Sequence, residues 1–206
     1  KHIPSKPLPT SALDLLKEAL TRASREKVEA LLPEFASRIA EEEIGVPLGV
    51  AGEAEAEKLL HLEDIIHKRL VNQSEAVHAV SSALREYRSG LSRAGGPIAT
   101  FLFVGPTGVG KTELSKILAE VQFGSRDAMR RFDMSEYQDT TSIFRLIGTP
   151  DGVQTGDLTD TIREHPYSLI LLDEFEKAHP DILDLFLQVF DDGRLTDSLG
   201  RTVQFQ

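Results

Sequence analysis

Two short constellations in this sequence carry chemistry. The first is Gly105-Pro106-Thr107-Gly108-Val109-Gly110-Lys111-Thr112, a G-x-x-x-x-G-K-T run. Its three glycines let the backbone curl so that successive N–H groups, and the start of a following helix, face an anion. Lys111 then reaches the β- and γ-phosphates of a bound nucleotide, and the Thr112 hydroxyl is placed to ligate magnesium. The second is Asp173-Glu174, directly after the apolar run Ser168 to Leu172. At the carboxyl end of a parallel strand, where ligands bind in open α/β sheets, adjacent carboxylates can divide two tasks. Asp173 supports the magnesium shell, and Glu174 accepts a proton from the water that attacks the γ-phosphate. Acid pairs after strands also serve as helix caps, so it is the phosphate loop that tips this pair toward catalysis.

The surrounding pattern supplies elements to position these groups. Ile98 to Val104 is a continuous apolar run ending at the glycine loop, which predicts a strand buried on both faces. A helix is expected from about Lys111 to Glu120, a short strand over Ala128 to Phe132 and a second buried strand over Ser168 to Leu172. A further helix starts with Pro180 at its first position and buries Ile182, Leu183, Phe186, Leu187 and Phe190. Alternating strands and helices imply an α/β fold with a doubly wound parallel sheet. Upstream, Leu59, Leu62, Ile66 and Leu70 mark one helix. Ala76, Val77, Val80, Ala83, Leu84, Tyr87 and Leu91 mark the next, with Asn72 and Glu75 spaced as a capping box.

The first fifty residues read as a helical annex. Leu13, Leu16 and Leu20 share one face, and Val28, Leu31, Leu32 and Phe35 continue the spacing across Pro33. Gly45-Val46-Pro47-Leu48-Gly49 is turn-rich and Gly52 to Glu57 is acidic, so a boundary is expected between 45 and 57, dividing residues 1–50 from 51–206.

Composition narrows the function classes. The chain has 206 residues, 40% of them hydrophobic and 27% charged, which is enough for a core. Its 23 Lys+Arg against 33 Asp+Glu give a net charge of −10, and no basic stripe offers itself to a phosphate backbone, so nucleic acid is not an expected partner. Cysteine is absent, which excludes disulfides, thiolate zinc sites and a Cys nucleophile. No apolar run is long enough to span a bilayer, so no membrane partner is expected either. The six histidines, His2, His61, His67, His78, His165 and His179, form no metal motif with carboxylates. Magnesium is the only metal expected. Arg145, Arg194 and Arg201 read as solvated or salt-bridged.

Several ordered motifs carry a family resemblance. The phosphate loop is followed by Asp133-Met134-Ser135-Glu136-Tyr137, Pro166-Tyr167-Ser168, Leu172-Asp173-Glu174-Phe175-Glu176-Lys177-Ala178-His179-Pro180 and Asp191-Asp192-Gly193-Arg194-Leu195-Thr196-Asp197. Together they resemble the second ATPase module of the Clp ATPases, the AAA+ protein unfoldases. The resemblance runs from about Leu59 onward, and Leu70-Val71-Asn72-Gln73 matches the family's turn beside adenine, with Asn72 in place of Gly. More weakly, Leu8 to Ala19 resembles the small helical subdomain closing a preceding module.

That resemblance implies an AAA+ P-loop ATPase with ATP and Mg2+ as cofactors. Gly105 to Thr112, Leu70 and Val71 would bind nucleotide, Thr112 and Asp173 the metal, and Lys111, Asp173 and Glu174 would act in hydrolysis. It also implies identical subunits in a hexameric ring, unfolded or tagged protein substrates, a peptidase or co-chaperone as a further partner, and a cytoplasmic or organelle-matrix location. Residues 51–206 would be a large subdomain stopping before the family's first sensor strand. Only strands 1, 2 and 3 of its 5-1-4-3-2 sheet are then present, so the sheet is incomplete and the chain is expected to be an excerpt of a longer protein.

One departure bears on function. The family grips polypeptide with an aromatic on a pore loop, but here Gly148-Thr149-Pro150-Asp151-Gly152 runs straight into Val153-Gln154-Thr155-Gly156 without a tyrosine. Either a loop segment is missing after Gly152, or the chain is a nucleotide-binding structural or regulatory ring subunit that does not thread polypeptide.

Overall fold

Apolar residues at helical spacing build most of this chain, and two short parallel strands carry the acidic end of the site. The computed structural model describes residues 10–26, 33–44, 53–89 and 96–205. It divides into two units, Lys1–Gly52 and Glu53–Gln206.

In the first unit, α1 (Thr10–Glu26) packs on α2 (Pro33–Ile44). The buried positions are Ala19, Ala23, Ile39 and Ala40, while Leu13, Leu16 and Leu20 stay exposed. The expected leucine face therefore exists but is not the packed one, because small alanines let two helices approach closely on the neighbouring face. Arg38 lies over the Phe35 ring at 4.8 Å and pairs with Glu26 at 2.9 Å. The positions Val28, Leu31 and Leu32, and the turn at 45–49, lie outside the described residues.

The second unit opens with α3 (Glu53–Leu60), α4 (Leu62–His67) and α5 (Ser74–Arg88). Residues 53–57, expected in a linker, are helical, and the single helix expected over Leu59 to Leu70 breaks at His61 (φ −101°, ψ 20°). The capping box also fails. Gln73 is the cap residue of α5, at φ 64° and without a side-chain bond, and Asn72 is likewise at φ 64°. Two consecutive left-handed residues cannot offer the extended geometry a capping side chain needs.

Residues 98–104 lead into α6 (Lys111–Phe123), but they are extended without any ladder partner among the described residues. Leu102 is 79% and Val104 86% exposed. The expectation of a strand buried on both faces is thus corrected: among the described residues no strand pairs with the run, and only Ile98 and Phe103 pack partly on the apolar core.

The paired strands are β1 (Met129–Asp133) and, after α7 (Ile143–Ile147) and α8 (Asp157–Glu164), β2 (Leu169–Asp173). They run parallel with Met129 opposite Leu169 and Asp133 opposite Asp173. With one neighbour each, the β2 residues are half-buried rather than buried. Next, α9 (Pro180–Asp192) has Pro180 in its first turn, and the His179 Nδ1 accepts the Asp181 N–H at 3.3 Å. Ile182, Phe186 and Val189 of α9 are buried, but Leu187 is exposed and Leu183 and Phe190 only partly covered. Their core also contains Phe132, Met134, Tyr137, Leu146, Leu158 and Ile162.

An antiparallel hairpin of β3 (Arg194–Thr196) and β4 (Thr202–Gln204) closes the unit. Its turn is organised by Asp197, whose side chain is 1% exposed. One carboxylate oxygen accepts from Arg163 at 2.5 Å and Arg201 at 2.8 Å, the other from the Leu199 and Arg201 N–H groups at 3.0 and 2.8 Å. Burial alone would raise this carboxyl, yet the Arg201 N–H, the Arg201 and Arg163 guanidinium groups and the Leu199 N–H together hold it below the ordinary carboxylate range. With a folded value below the unfolded ~3.9, its stabilisation is complete above that value and lost as pH falls through the folded one. Asp197→Ala at pH 7 should lower hairpin stability by about 1–3 kcal/mol, read as faster hydrogen exchange at the Leu199 and Arg201 amides; unaltered exchange would mean that other contacts hold the turn.

Candidate functional site

The helix α6 starts the site. Leu114, Ile117 and Leu118 form its buried face and Gly124 at φ 76° ends it, so its sequence encodes both the packed stripe and the stop. The buried face joins Leu62, Ile66 and Leu70 from the α4 region, and Val77, Val80 and Leu84 from α5, in one apolar cluster. Leu169 of β2 packs against the same cluster. The helix that begins at Lys111 and the strand that ends at Asp173 are therefore positioned by one core.

At the head of α6 the loop curls back on the lysine. Lys111 Nζ donates to the carbonyls of Gly105 and Pro106 at 2.7 and 2.9 Å. The ammonium thus folds back onto the start of the loop, and the loop leads into the first turn of α6, whose N–H groups a helix start leaves without carbonyl partners. Thr112 is half-buried and its hydroxyl makes no hydrogen bond among the described residues. Pro106, Thr107 and Gly108 are exposed, and Val109 is half-buried beneath them.

Gly110 is required by both its backbone and its neighbour. Its φ is 98°, and a Cβ there would lie 2.6 Å from Leu70 Cδ1. Leu70 is buried against the loop while Val71 is exposed beside it. Asn72 at φ 64° adopts the left-handed backbone that the family turn needs. This turn is tethered to α6 by charge: Arg69 pairs with Glu120, which also meets Arg126 at 3.2 Å, and Arg126 pairs with Glu113 next to Thr112. The Arg69 hydrogen bond holds the Glu120 carboxyl below its usual range.

The acidic half lies at the carboxyl ends of β1 and β2. Asp173 Oδ1 accepts the Glu174 N–H at 3.2 Å, and Asp173 Oδ2 pairs with Arg131 Nη2 at 2.8 Å. Glu174 is exposed at φ 52°, a left-handed non-glycine residue. Such a conformation costs about 1–3 kcal/mol and clusters at functional sites. On β1, Asp133 Oδ1 accepts the Ser135 hydroxyl at 2.6 Å and its N–H at 3.1 Å, which lowers the Asp133 carboxyl.

Leu70, Gly105, Pro106, Gly110 and Lys111 meet directly, whereas Asp173 and Glu174 make no hydrogen bond or ion pair to residues 105–112 among the described residues. They share only the core beneath them. Among the described residues no cluster of acids and histidines suited to another metal is found. Sequence reading missed Arg131, Arg69, Glu120 and Arg126. Alternation along β1 already put Arg131 on the face of Asp133, but the register that brings it to Asp173 is a tertiary fact.

The tyrosine-free loop is closed by its own hydrogen bonds. Thr149 N–H donates to Gln154 O at 2.9 Å, Gly152 N–H to Thr149 O at 3.0 Å and Val153 N–H to Asp151 Oδ1 at 3.1 Å. Its tip, Val153, is 85% exposed.

A family model described as AAA domain (Cdc48 subfamily) matches residues 96–206. The chain is 56% identical over 174 residues to the chaperone protein ClpB of Aquifex aeolicus, covering 82% of this chain and 17% of that protein. Over 200 residues it is 47% identical to the ATP-dependent Clp protease ATP-binding subunit ClpA homolog of Cyanidium caldarium, covering 91% and 23%. Among solved structures it resembles the closed-state cryo-EM reconstruction of Hsp104 with ATPγS and FITC casein, with a TM-score of 0.84 and 39% identity over 99% of this chain and 36% of that one. The chain spans about a fifth of the length of these curated relatives.

Gly110→Ala tests the loop geometry. The backbone strain of alanine at φ 98° should cost about 1–3 kcal/mol; relief of that strain by a shift of the loop should weaken nucleotide binding by about tenfold or more in calorimetry. Wild-type affinity in that variant would show that the loop does not need this backbone.

Proposed function

Because the chain belongs to the AAA domain (Cdc48 subfamily) family and carries a Clp-type ATPase module, we propose that it binds and hydrolyses ATP in a subunit that drives protein unfolding as a disaggregating chaperone. The observation that carries the nucleotide reading is the Lys111 ammonium held at the mouth of the curled loop by the Gly105 and Pro106 carbonyls. A cation on the loop and the N-terminal N–H groups of the helix it leads into are groups suited to phosphate oxygens. Residues Gly105 to Thr112 would enclose the phosphates, while Leu70 and exposed Val71 would offer the apolar side for adenine.

The donor set also fits Mg2+. The uncommitted Thr112 hydroxyl and the Asp173 carboxylate are oxygen ligands of the type magnesium prefers, directly or through water. When bound, the ion neutralises charge developing on the β- and γ-phosphate oxygens. Glu174, carried beyond β2 on its left-handed turn and exposed, is the base that takes the proton of the attacking water.

The assembly we propose is a hexameric ring of identical subunits acting on unfolded or tagged protein, with a co-chaperone or peptidase as a further partner and the cytoplasm or an organelle matrix as its compartment. The relative solved with casein supports a polypeptide substrate. A ring subunit that binds nucleotide without acting on polypeptide is not favoured, since the relatives are named as chaperones and a protease's ATP-binding subunit.

Lys111→Ala removes the cation from the phosphates and should abolish tight ATP binding in calorimetry; unchanged affinity would refute the loop assignment. Glu174→Gln keeps the shape and removes the base, so binding should persist while turnover falls about 100-fold or more. Normal turnover would mean that another group takes the proton.

A further inference from the structure

Arg131 has no role in the reading above, yet it touches its central acid. The parallel register sets Arg131 opposite Leu171 and Asp133 opposite Asp173, so alternation puts Arg131, Asp133 and Asp173 on one face of the pair. Arg131 Nη2 lies 2.8 Å from Asp173 Oδ2 and 3.8 Å from Asp133 Oδ2. It is the only cation within ion-pair distance of Asp173 among the described residues. The other Asp173 oxygen is taken by the Glu174 N–H, and Asp133 Oδ1 by Ser135. Both oxygens of the acid are therefore engaged, one by its own backbone and one by a side chain that can leave.

We infer that Arg131 is a positioning residue that competes with a divalent cation for Asp173 Oδ2 and so sets how much metal the nucleotide site needs. The inference rests on the reading of Asp173 as the acid that supports Mg2+. Two cations cannot both draw fully on one carboxylate oxygen, and like charges a few ångströms apart repel most where water is partly excluded. The pair is also accessible enough to open, with Arg131 52% and Asp173 30% exposed. A guanidinium on the edge strand thus holds Asp173 in one orientation when no metal is present, and it lowers the affinity for the metal when one arrives. Lysine in its place keeps the charge but loses the planar fork.

The test uses the full-length protein and fluorescent methylanthraniloyl-ADP, titrated with Mg2+ so that no turnover is needed. Arg131→Gln should move the half-saturating Mg2+ to a value about threefold to tenfold lower, leave ADP affinity in EDTA unchanged, and lose its effect in an Asp173→Asn background. Arg131→Lys should stay within about twofold of the wild type. If Asp173→Asn weakens the Mg2+ dependence but Arg131→Gln leaves the half-point where it was or raises it, competition by Arg131 is overturned. If Asp173→Asn itself leaves the Mg2+ dependence untouched, the assignment of Asp173 falls first and the inference with it. A loss of ADP binding in EDTA for Arg131→Gln would make Arg131 a structural strut and likewise overturn the proposal.

Discussion

The grip on α6 decides everything else in the candidate site. Leu114, Ile117 and Leu118 bury one face of the helix among Leu62, Ile66, Leu70, Val77, Val80 and Leu84, and Leu169 closes the cluster from β2. Burying side chains of this size contributes about 1.5–3 kcal/mol each. The solvent-exposed Arg69–Glu120–Arg126 pairs around the same helix are screened by water and contribute less than the packing. Apolar packing therefore fixes where the head of α6 lies, and the ion pairs trim its register to the Leu70 turn. Because Leu70 belongs to that core and also abuts Gly110, the Leu70 turn and the glycine loop are coupled through one side chain.

A second constraint comes from the single parallel strand pair among the described residues. The site acids stand at the carboxyl ends of β1 and β2, directly opposite each other in the register. Two carboxylates at adjacent strand ends repel, and the structure offsets this with one guanidinium and a serine hydroxyl rather than with burial. The apolar run before the phosphate loop has no such ladder among the described residues, and it is held to the core of α6 only through Ile98 and Phe103.

Much of this was legible from residue types. The G-x-x-x-x-G-K-T spacing announced the loop and the helix that follows it at Lys111, and Asn72 in place of Gly could be accepted because Asn tolerates the left-handed region that the turn adopts. The relatives bear out the family and the α/β P-loop class. What failed was whatever depends on a neighbour. Ile98 to Val104 has the composition of a buried strand, but burial belongs to the partner strands and not to the run itself. Leu13, Leu16 and Leu20 have the right spacing, yet Ala19 and Ala23 form the closer contact. Gln73 displaces the capping box because φ is positive at both 72 and 73, which local spacing did not show. Arg131 was invisible for the same reason, since strand register decides which carboxylate it meets.

The short loop shows how local chemistry becomes a mechanical link. Gly156 sits so close to the Leu146 and Ile147 backbone that a Cβ would fall 2.5 Å from it, which fixes both ends of the loop against each other. Ser198 N–H then donates to Ile147 O at 3.1 Å and its hydroxyl to Gly148 O at 2.5 Å, tying the hairpin turn to the same base. Asp197, one residue earlier, is held by Arg163 of α8. A displacement of Val153 larger than its own turn allows must therefore break the Ser198 bonds or carry β3 and β4 along. The base of the loop and the hairpin turn are consequently joined through the carbonyls at 147 and 148, and Asp197 next to Ser198 braces the same turn.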